Sequence, residues 1–199
     1  MTRTTTTGTT RRRVIVVAAL LLTLTMPALA RAEGFISPLI GFNFAGDANC
    51  PNVQGCEDKR LNFGVGLGAM NAVLGFEEEF AYARDFFGTA PGFKSSVFTL
   101  MSNVMVVPKV GPVRPYFLVG LGLIKTHVDF TTATLLSTDN NSFGWDIGGG
   151  VMITVVPHVA VRGDIRYFHS LQDLGFVGFT LNGSKLDFGR AAAALTFTF

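Results

Sequence analysis

The sequence predicts an all-β protein, an eight-stranded antiparallel transmembrane β-barrel in up-and-down meander order. Three observations carry this prediction. Past residue 34, apolar residues alternate with small or polar ones in runs of roughly ten to sixteen residues. The breaks between the runs alternate between short and long, as in outer-membrane barrels. The chain ends on Phe199, preceded by Phe197 and Leu195 at every second position, so that the C-terminus itself reads as a strand with one apolar face.

Composition excludes two other classes of protein. Hydrophobic residues make up 48% of the 199 residues and charged residues only 15%, yet no run past residue 30 is apolar for the ~20 residues that a membrane-spanning helix needs. Without residues 1–30 the chain has twelve basic and fourteen acidic residues. Nucleic-acid binding, which requires a clustered basic face, is therefore not expected.

Residues 1–30 are predicted to be a signal peptide. Arg11–Arg13 form a basic region, Val14–Leu24 an apolar region, and Ala28–Ala30 an A-x-A cleavage site, with cleavage after residue 32 as the alternative. The arginine triplet also resembles a twin-arginine signal, but general secretion fits better. Residues 33–199 then form the barrel domain.

Two cysteines lie in a loop-like segment, "CPNVQGC". After export, Cys50 and Cys56 meet an oxidising compartment, so the expected arrangement is a disulfide that closes a small loop. A free pair and a metal site are the alternatives, and the sequence offers no convincing further metal ligands. We predict no metal site and no cofactor.

Alternation places the strands and their connections. Short connections are predicted at 71–72, 108–112 and 157–158, and long ones at 46–58, 86–93, 129–141 and 172–184. An even strand number puts both termini on one side, which in such barrels is the periplasmic side, with the long loops outside. The predicted strands are 35–45, 59–70, 73–85, 94–107, 113–128, 142–156, 159–171 and 185–199.

Strand parity assigns charged residues to the interior. Charges of both signs in a narrow eight-stranded lumen can pair, so we predict a plugged interior, with a proton or ion path as the minor alternative. Glu78 is the exception, because parity points it to lipid; we expect a β-bulge that resets the register there, or else protonation or a partner protein. The predicted lumen network is Arg60, Glu77, Glu79, Asp146, Arg162, Asp164, Arg166 and Arg190.

Three strand motifs and the terminal Phe199 carry a family resemblance. The motifs are "RPYFLVGLGL" (114–123), "FGWDIGGGVMI" (143–153) and "VAVRGDIRYF" (159–168). With them the chain resembles the OmpA/OmpX-like family of small outer-membrane β-barrels. The resemblance implies the outer membrane of a Gram-negative-type (diderm) bacterium, contact with its lipids and lipopolysaccharide, and delivery by periplasmic chaperones to the barrel-assembly machinery, for which Leu195, Phe197 and Phe199 look like the C-terminal signal.

The expected function is non-enzymatic, a structural or surface-interaction role through the external loops. A narrow porin-like channel is the first alternative. The second is a lipid-modifying enzyme similar to a lipid A deacylase, because His169 and Asp187 have outward parity on adjacent strands. The nearby hydroxyls argue against it, since Ser170 has inward parity and Ser184 falls in a predicted loop.

Overall fold

The protein is a closed barrel of eight antiparallel strands, each paired with the next and the last with the first. This computed structural model describes residues 32–48, 61–88, 93–130, 136–176 and 179–199. Across those ranges no helix is long and apolar enough to cross a membrane. The strands are β1 (Glu33–Phe44), β2 (Leu61–Met70), β3 (Leu74–Arg84), β4 (Phe93–Val106), β5 (Val113–Phe130), β6 (Leu136–Val156), β7 (Val159–Phe176) and β8 (Phe179–Thr198).

Ring closure depends on the two terminal strands. The β1–β8 ladder runs from Phe35 opposite Thr198 to Phe44 opposite Gly189. Gly34 and Phe199 exchange two backbone hydrogen bonds of 3.0 and 2.9 Å, so the last residue still belongs to the sheet. Because unpaired backbone groups cost several kcal/mol each in hydrocarbon, closure is what makes an apolar outer wall tolerable.

The predicted alternation of faces is confirmed. On β6, Phe143, Ile147 and Ile153 point outward and are 59%, 37% and 46% exposed. The ten residue steps from Phe143 to Ile153, at about 3.3 Å rise and a tilt of about 40°, span about 25 Å, the height of the apolar band in such barrels. The wall therefore has the length and the polarity of a membrane-spanning surface.

The interior is layered. Strand β7 shows the order in its inward residues: Ala160, then Arg162, Asp164 and Arg166, then Phe168. Ala160 belongs to a buried apolar cluster with Phe35, Met70, Met105, Val107, Tyr116, Leu118 and Met152. Phe168 belongs to a second cluster with Ala48, Ala83, Phe86, Val97, Met101, Ile124, Leu186 and Phe188. A charged layer thus lies between two apolar ones.

The two ends of the barrel differ. We call the end with both described termini and the connections 71–73, 107–112 and 157–158 the turn end, and the opposite end the loop end. The predicted short connections are confirmed to within one residue.

The prediction of long loops at 129–141 and 172–184 is wrong. Much of both segments is strand, because the ladders continue to Phe130 opposite Leu136 and to Phe176 opposite Phe179. Beyond the lipid a strand needs no apolar face, so pairing continues where the alternating pattern stops.

Close strand approach leaves no room for a side chain at the interior Gly122. A Cβ at Gly122 would lie 1.9 Å from the backbone oxygen of Leu100, whereas a Cβ at Gly163, on the outer face, would meet nothing within 4 Å. We expect Gly122→Ala to lower the free energy of unfolding by about 1–3 kcal/mol through overpacking. Gly163→Ala is the matched control and should leave it unchanged. Urea unfolding in lipid vesicles, followed by the fluorescence of the single tryptophan, Trp145, measures both; equal effects would contradict the packing argument.

Candidate functional site: the charged interior and two polar sites on the wall

Alternation along four strands brings the predicted interior charges together. Glu77 and Glu79 come from β3, Asp146 from β6, Arg162, Asp164 and Arg166 from β7, and Arg190 from β8. All are at most 8% exposed. Arg60, the eighth residue of the predicted network, lies outside the described residues. The described residues of the network are therefore three arginines and four carboxylates.

Glu77 lies between two arginines. Its Oε1 accepts hydrogen bonds from Nη2 of Arg166 at 2.8 Å and Nη2 of Arg162 at 3.2 Å, and its Oε2 accepts one from Nη1 of Arg162. The Glu77 and Arg166 side chains are fully buried, and that of Arg162 is 2% exposed. This two-pronged arginine–carboxylate geometry is the strongest that side chains make, and it compensates the cost of removing the charges from water.

Arg166 is the centre of the network. Its Nη2 lies 2.8 Å from Oε2 of Glu79 and 3.3 Å from Oδ2 of Asp164, and its Nη1 lies 3.6 Å from Oδ2 of Asp146. In the amide orientation that its neighbours favour, Asn103 donates to Asp146 at 2.9 Å and accepts from Arg166 at 3.3 Å. One guanidinium thus joins carboxylates from three strands.

Arg162 and Arg190 extend the network towards the two apolar clusters. Tyr116 donates its hydroxyl hydrogen to Asp164 at 2.7 Å and accepts from Nε of Arg162 at 2.7 Å. Arg190 pairs with Glu79, and its guanidinium carbon lies 4.5 Å from the centre of the Phe168 ring. The two guanidinium groups lie with their weakly hydrated planes over the faces of these aromatic rings. The charged layer therefore passes directly into the apolar layers.

Several partners of these charges are not among the residues predicted from the sequence. Tyr116 and Asn103 are buried in the network, and Thr99 accepts a hydrogen bond from Arg190 at 3.5 Å. Each lies at an inward position of β4 or β5, so parity marks them as interior residues, but parity alone does not tell which charge each one contacts. A cavity beside Arg190, lined by Asn43 and Asn62 among others, measures only about 10 Å³, room for about one water molecule.

A histidine and an aspartate form a pair on the outer wall near the loop end. His169 and Asp187 are opposite each other in the β7–β8 ladder, and Nδ1 of His169 contacts Oδ1 of Asp187. The ring of Trp145 lies 5.4 Å from that of His169. Ser170 is fully buried and points inward, where its hydroxyl donates to the backbone oxygen of Gln172 at 2.8 Å. The side chain of Ser184 lies outside the described residues.

Glu78 faces outward, and the β-bulge expected there is wrong. Pairing is continuous on both sides, with Glu78 opposite Leu67 on β2 and opposite Ser102 on β4. The Ser102 hydroxyl donates to Oε1 of Glu78 at 2.7 Å. Because Ser102 on the neighbouring strand donates this hydrogen bond, Glu78 fits into an otherwise apolar part of the wall with the strand register unchanged.

The other predicted site residues are the terminal residues and the cysteines. Leu195, Phe197 and Phe199 lie on the outer face and are 49%, 40% and 80% exposed. Cys50 and Cys56 lie outside the described residues. Within the described ranges, no group of three or more His, Cys, Asp or Glu side chains is arranged to hold a metal ion.

Comparison of the sequence with family models identifies the group of proteins. The model described as "Outer membrane protein beta-barrel domain" matches residues 16–199. The chain belongs to this family. It is an outer-membrane β-barrel protein, as the sequence resemblance implies. A search of curated proteins finds no match.

Solved structures show the same fold at low sequence identity. Neisserial surface protein A (NspA) is 15% identical with a TM-score of 0.60, over 84% of this chain and 97% of that one. A major outer membrane protein of Thermus thermophilus is 13% identical with a TM-score of 0.57, over 84% and 99%. Ail, the attachment invasion locus protein of Yersinia pestis, is 14% identical with a TM-score of 0.53, over 85% and 99%. At these identities the likeness concerns the fold alone.

Adjacent glutamates of β3 allow a matched test of the interior network. Glu77→Gln removes one of the two carboxylates that Arg162 and Arg166 share, the other being Asp164, so we expect the free energy of unfolding to fall by about 3–5 kcal/mol. Glu78→Gln removes a charge from the outer wall one residue away and should cause no loss. Urea unfolding in lipid vesicles measures both variants. A small effect of Glu77→Gln, equal to that of Glu78→Gln, would contradict an essential role for the interior pairing.

Proposed function

We propose that this protein is a non-enzymatic barrel of the outer membrane with a structural or surface-interaction role, and that its lumen does not conduct solutes. The observation that carries the proposal is the ion-pair layer from Arg162 through Arg166 to Arg190. It crosses the interior between two apolar clusters. Eight strands leave an interior only wide enough for side chains.

The loop end supports an interaction role. The β5–β6 ladder continues from Lys125 opposite Asn141 to Phe130 opposite Leu136, about 23 Å along the strand beyond the last outward leucine, Leu123. Up to Phe130 and Leu136 these paired strands form a regular ladder that extends past the apolar part of the wall. Exposed segments on a rigid scaffold are where binding sites concentrate. In this proposal the loop end is extracellular and both termini are periplasmic.

The wall supports the proposed partners. Outward apolar residues fit the hydrocarbon of outer-membrane lipids, and Trp145, Tyr167 and His169 form an aromatic and polar group near the loop end, at the level expected for lipopolysaccharide headgroups. Periplasmic chaperones and the barrel-assembly machinery are the proposed partners during export. The outward Leu195, Phe197 and Phe199 are the proposed recognition signal for that machinery.

A lipid-modifying enzyme has less support. The His169–Asp187 pair could orient a general base, but acyl transfer also needs a nucleophile on the same face. The nearest serine in sequence, Ser170, is buried on the other side of the sheet. The histidine pair is better explained as part of the polar rim that the wall requires at the water interface.

The closed lumen makes a prediction about conductance. The purified protein in planar lipid bilayers should give no steady single-channel conductance under an applied voltage, because the paired arginines and carboxylates of the described residues fill the interior between the two apolar clusters. An open porin of larger diameter, recorded in the same membranes, is the positive control. Steady, sizeable openings in the wild-type protein would favour the narrow-channel alternative.

The proposed role at the cell surface requires a test in cells. We expect cysteines introduced at Ser137 and Thr180, near the tips of the two long hairpins, to react with a membrane-impermeant maleimide on intact cells, and a cysteine at Lys109, in a turn, to react only after the outer membrane is permeabilised. If the protein acts through its external loops, replacing residues 131–135 with a Gly-Ser linker should abolish the interaction. If its role is structural, the same replacement should leave that role intact. Labelling of Lys109→Cys on intact cells would contradict the proposed orientation.

A further inference from the structure

The turn end of the barrel holds a cavity that the proposed function does not use. It measures about 260 Å³. Met70, Met152, Val159 and Ala160 supply its apolar lining, and Lys109 and Arg114 supply cationic groups. Met70, Met152 and Ala160 belong to the apolar cluster beneath the charged layer, so the cavity ends there. It is a blind cup that opens at the turn end.

Arg114 spans the mouth of this cup. It is the second residue of β5, at an inward position, and its Nη2 lies 3.4 Å from Oε2 of Glu33, the first residue of β1. Strands β1 and β5 are opposite each other in the ring of eight, so this ion pair crosses the barrel opening. The Glu33 side chain is 55% exposed, and that of Arg114 only 10%.

One end of the Arg114 fork is without a partner. Nη1 is buried and makes no hydrogen bond to any part of the protein that the structure describes. A guanidinium nitrogen held out of water and left unpaired costs free energy that a bound acceptor would recover. Arg114 also lines the cup, so an acceptor bound there can pair with its guanidinium once Nη1 turns toward the cavity.

We propose that the cup is a binding site for a small monoanionic carboxylate with an apolar body. The carboxylate pairs with the guanidinium of Arg114, which turns Nη1 toward it, and Lys109 lies nearby as a second positive charge. The apolar body packs against Met70, Met152, Val159 and Ala160. The volume suits a ligand of the size of benzoate or hexanoate, present free or as the end of a larger molecule.

The apolar lining of the cup favours a carboxylate with an apolar body over a phosphate. Arginine binds both groups through its planar fork. Attraction to Arg114 and Lys109 and repulsion by Glu33 all grow with the charge of the anion, so charge alone does not select between the two. Inorganic phosphate has no apolar part to pack against Met70 and Met152, whereas the apolar body of the carboxylate removes that lining from water.

The test uses 4-fluorobenzoate as the probe, followed by ¹⁹F NMR with the protein in detergent micelles. Empty micelles correct for partitioning of the probe. We expect a Kd of the order of millimolar, typical of so small a ligand. In ¹H–¹⁵N spectra of the protein, the shifts caused by the probe should be confined to backbone amides of turn-end residues such as Arg114 and Ala160. Arg114→Gln should weaken binding at least about tenfold, the loss of one charged hydrogen bond. Arg114→Lys, which keeps the charge and loses the fork, should give an intermediate affinity.

A matched control and four contrary outcomes test the proposal. Arg84→Gln removes an arginine that is 77% exposed at the loop end and should leave the Kd unchanged. Heat-dependent gel mobility confirms that each variant is folded before it is titrated. The proposal is overturned if Arg114→Gln and Arg114→Lys both bind as tightly as wild type, if neutral 4-fluorobenzamide binds equally well, or if inorganic phosphate displaces the probe. Absence of binding up to about 10 mM overturns it as well.

Discussion

The hydrogen bonds that close β1 onto β8 are the constraint on which the rest of the structure depends. In hydrocarbon every backbone amide and carbonyl must find a partner within the protein, and eight strands achieve this only as a complete ring. Closure divides each strand into an outer face in lipid and an inner face in a narrow interior. The composition of both faces follows from that division.

The narrow interior explains why the charges lie as they do. Placed singly, Glu77 or Arg166 would be prohibitively costly to bury, but the ring brings four strands close enough for each charge to meet several opposite ones. Tyr116 and Asn103 fill the remaining hydrogen-bonding positions. The result is a polar core with apolar layers on both sides, and the cup at the turn end is the space that these layers leave unfilled.

Much of the fold is predictable because lipid imposes a period of two on every strand. The outward Ile147 and Ile153 and the inward Arg162 and Arg166 follow from their positions alone. Two kinds of feature do not follow. Ladders that leave the membrane lose the apolar alternation, so the pattern predicts loops there, and Glu78 suggests a bulge because its hydrogen-bond partner, Ser102, is 24 residues away in sequence.

The sequence by itself determined the family, the number of strands and the face on which each residue lies, because these depend on local alternation and on strand length. Only the tertiary structure decided which charges pair, that Glu78 is held by Ser102, and that Arg114 reaches Glu33 across the barrel mouth. Those contacts join strands that are distant in sequence. Their geometry depends on the register and closure of the whole ring, which no single segment encodes.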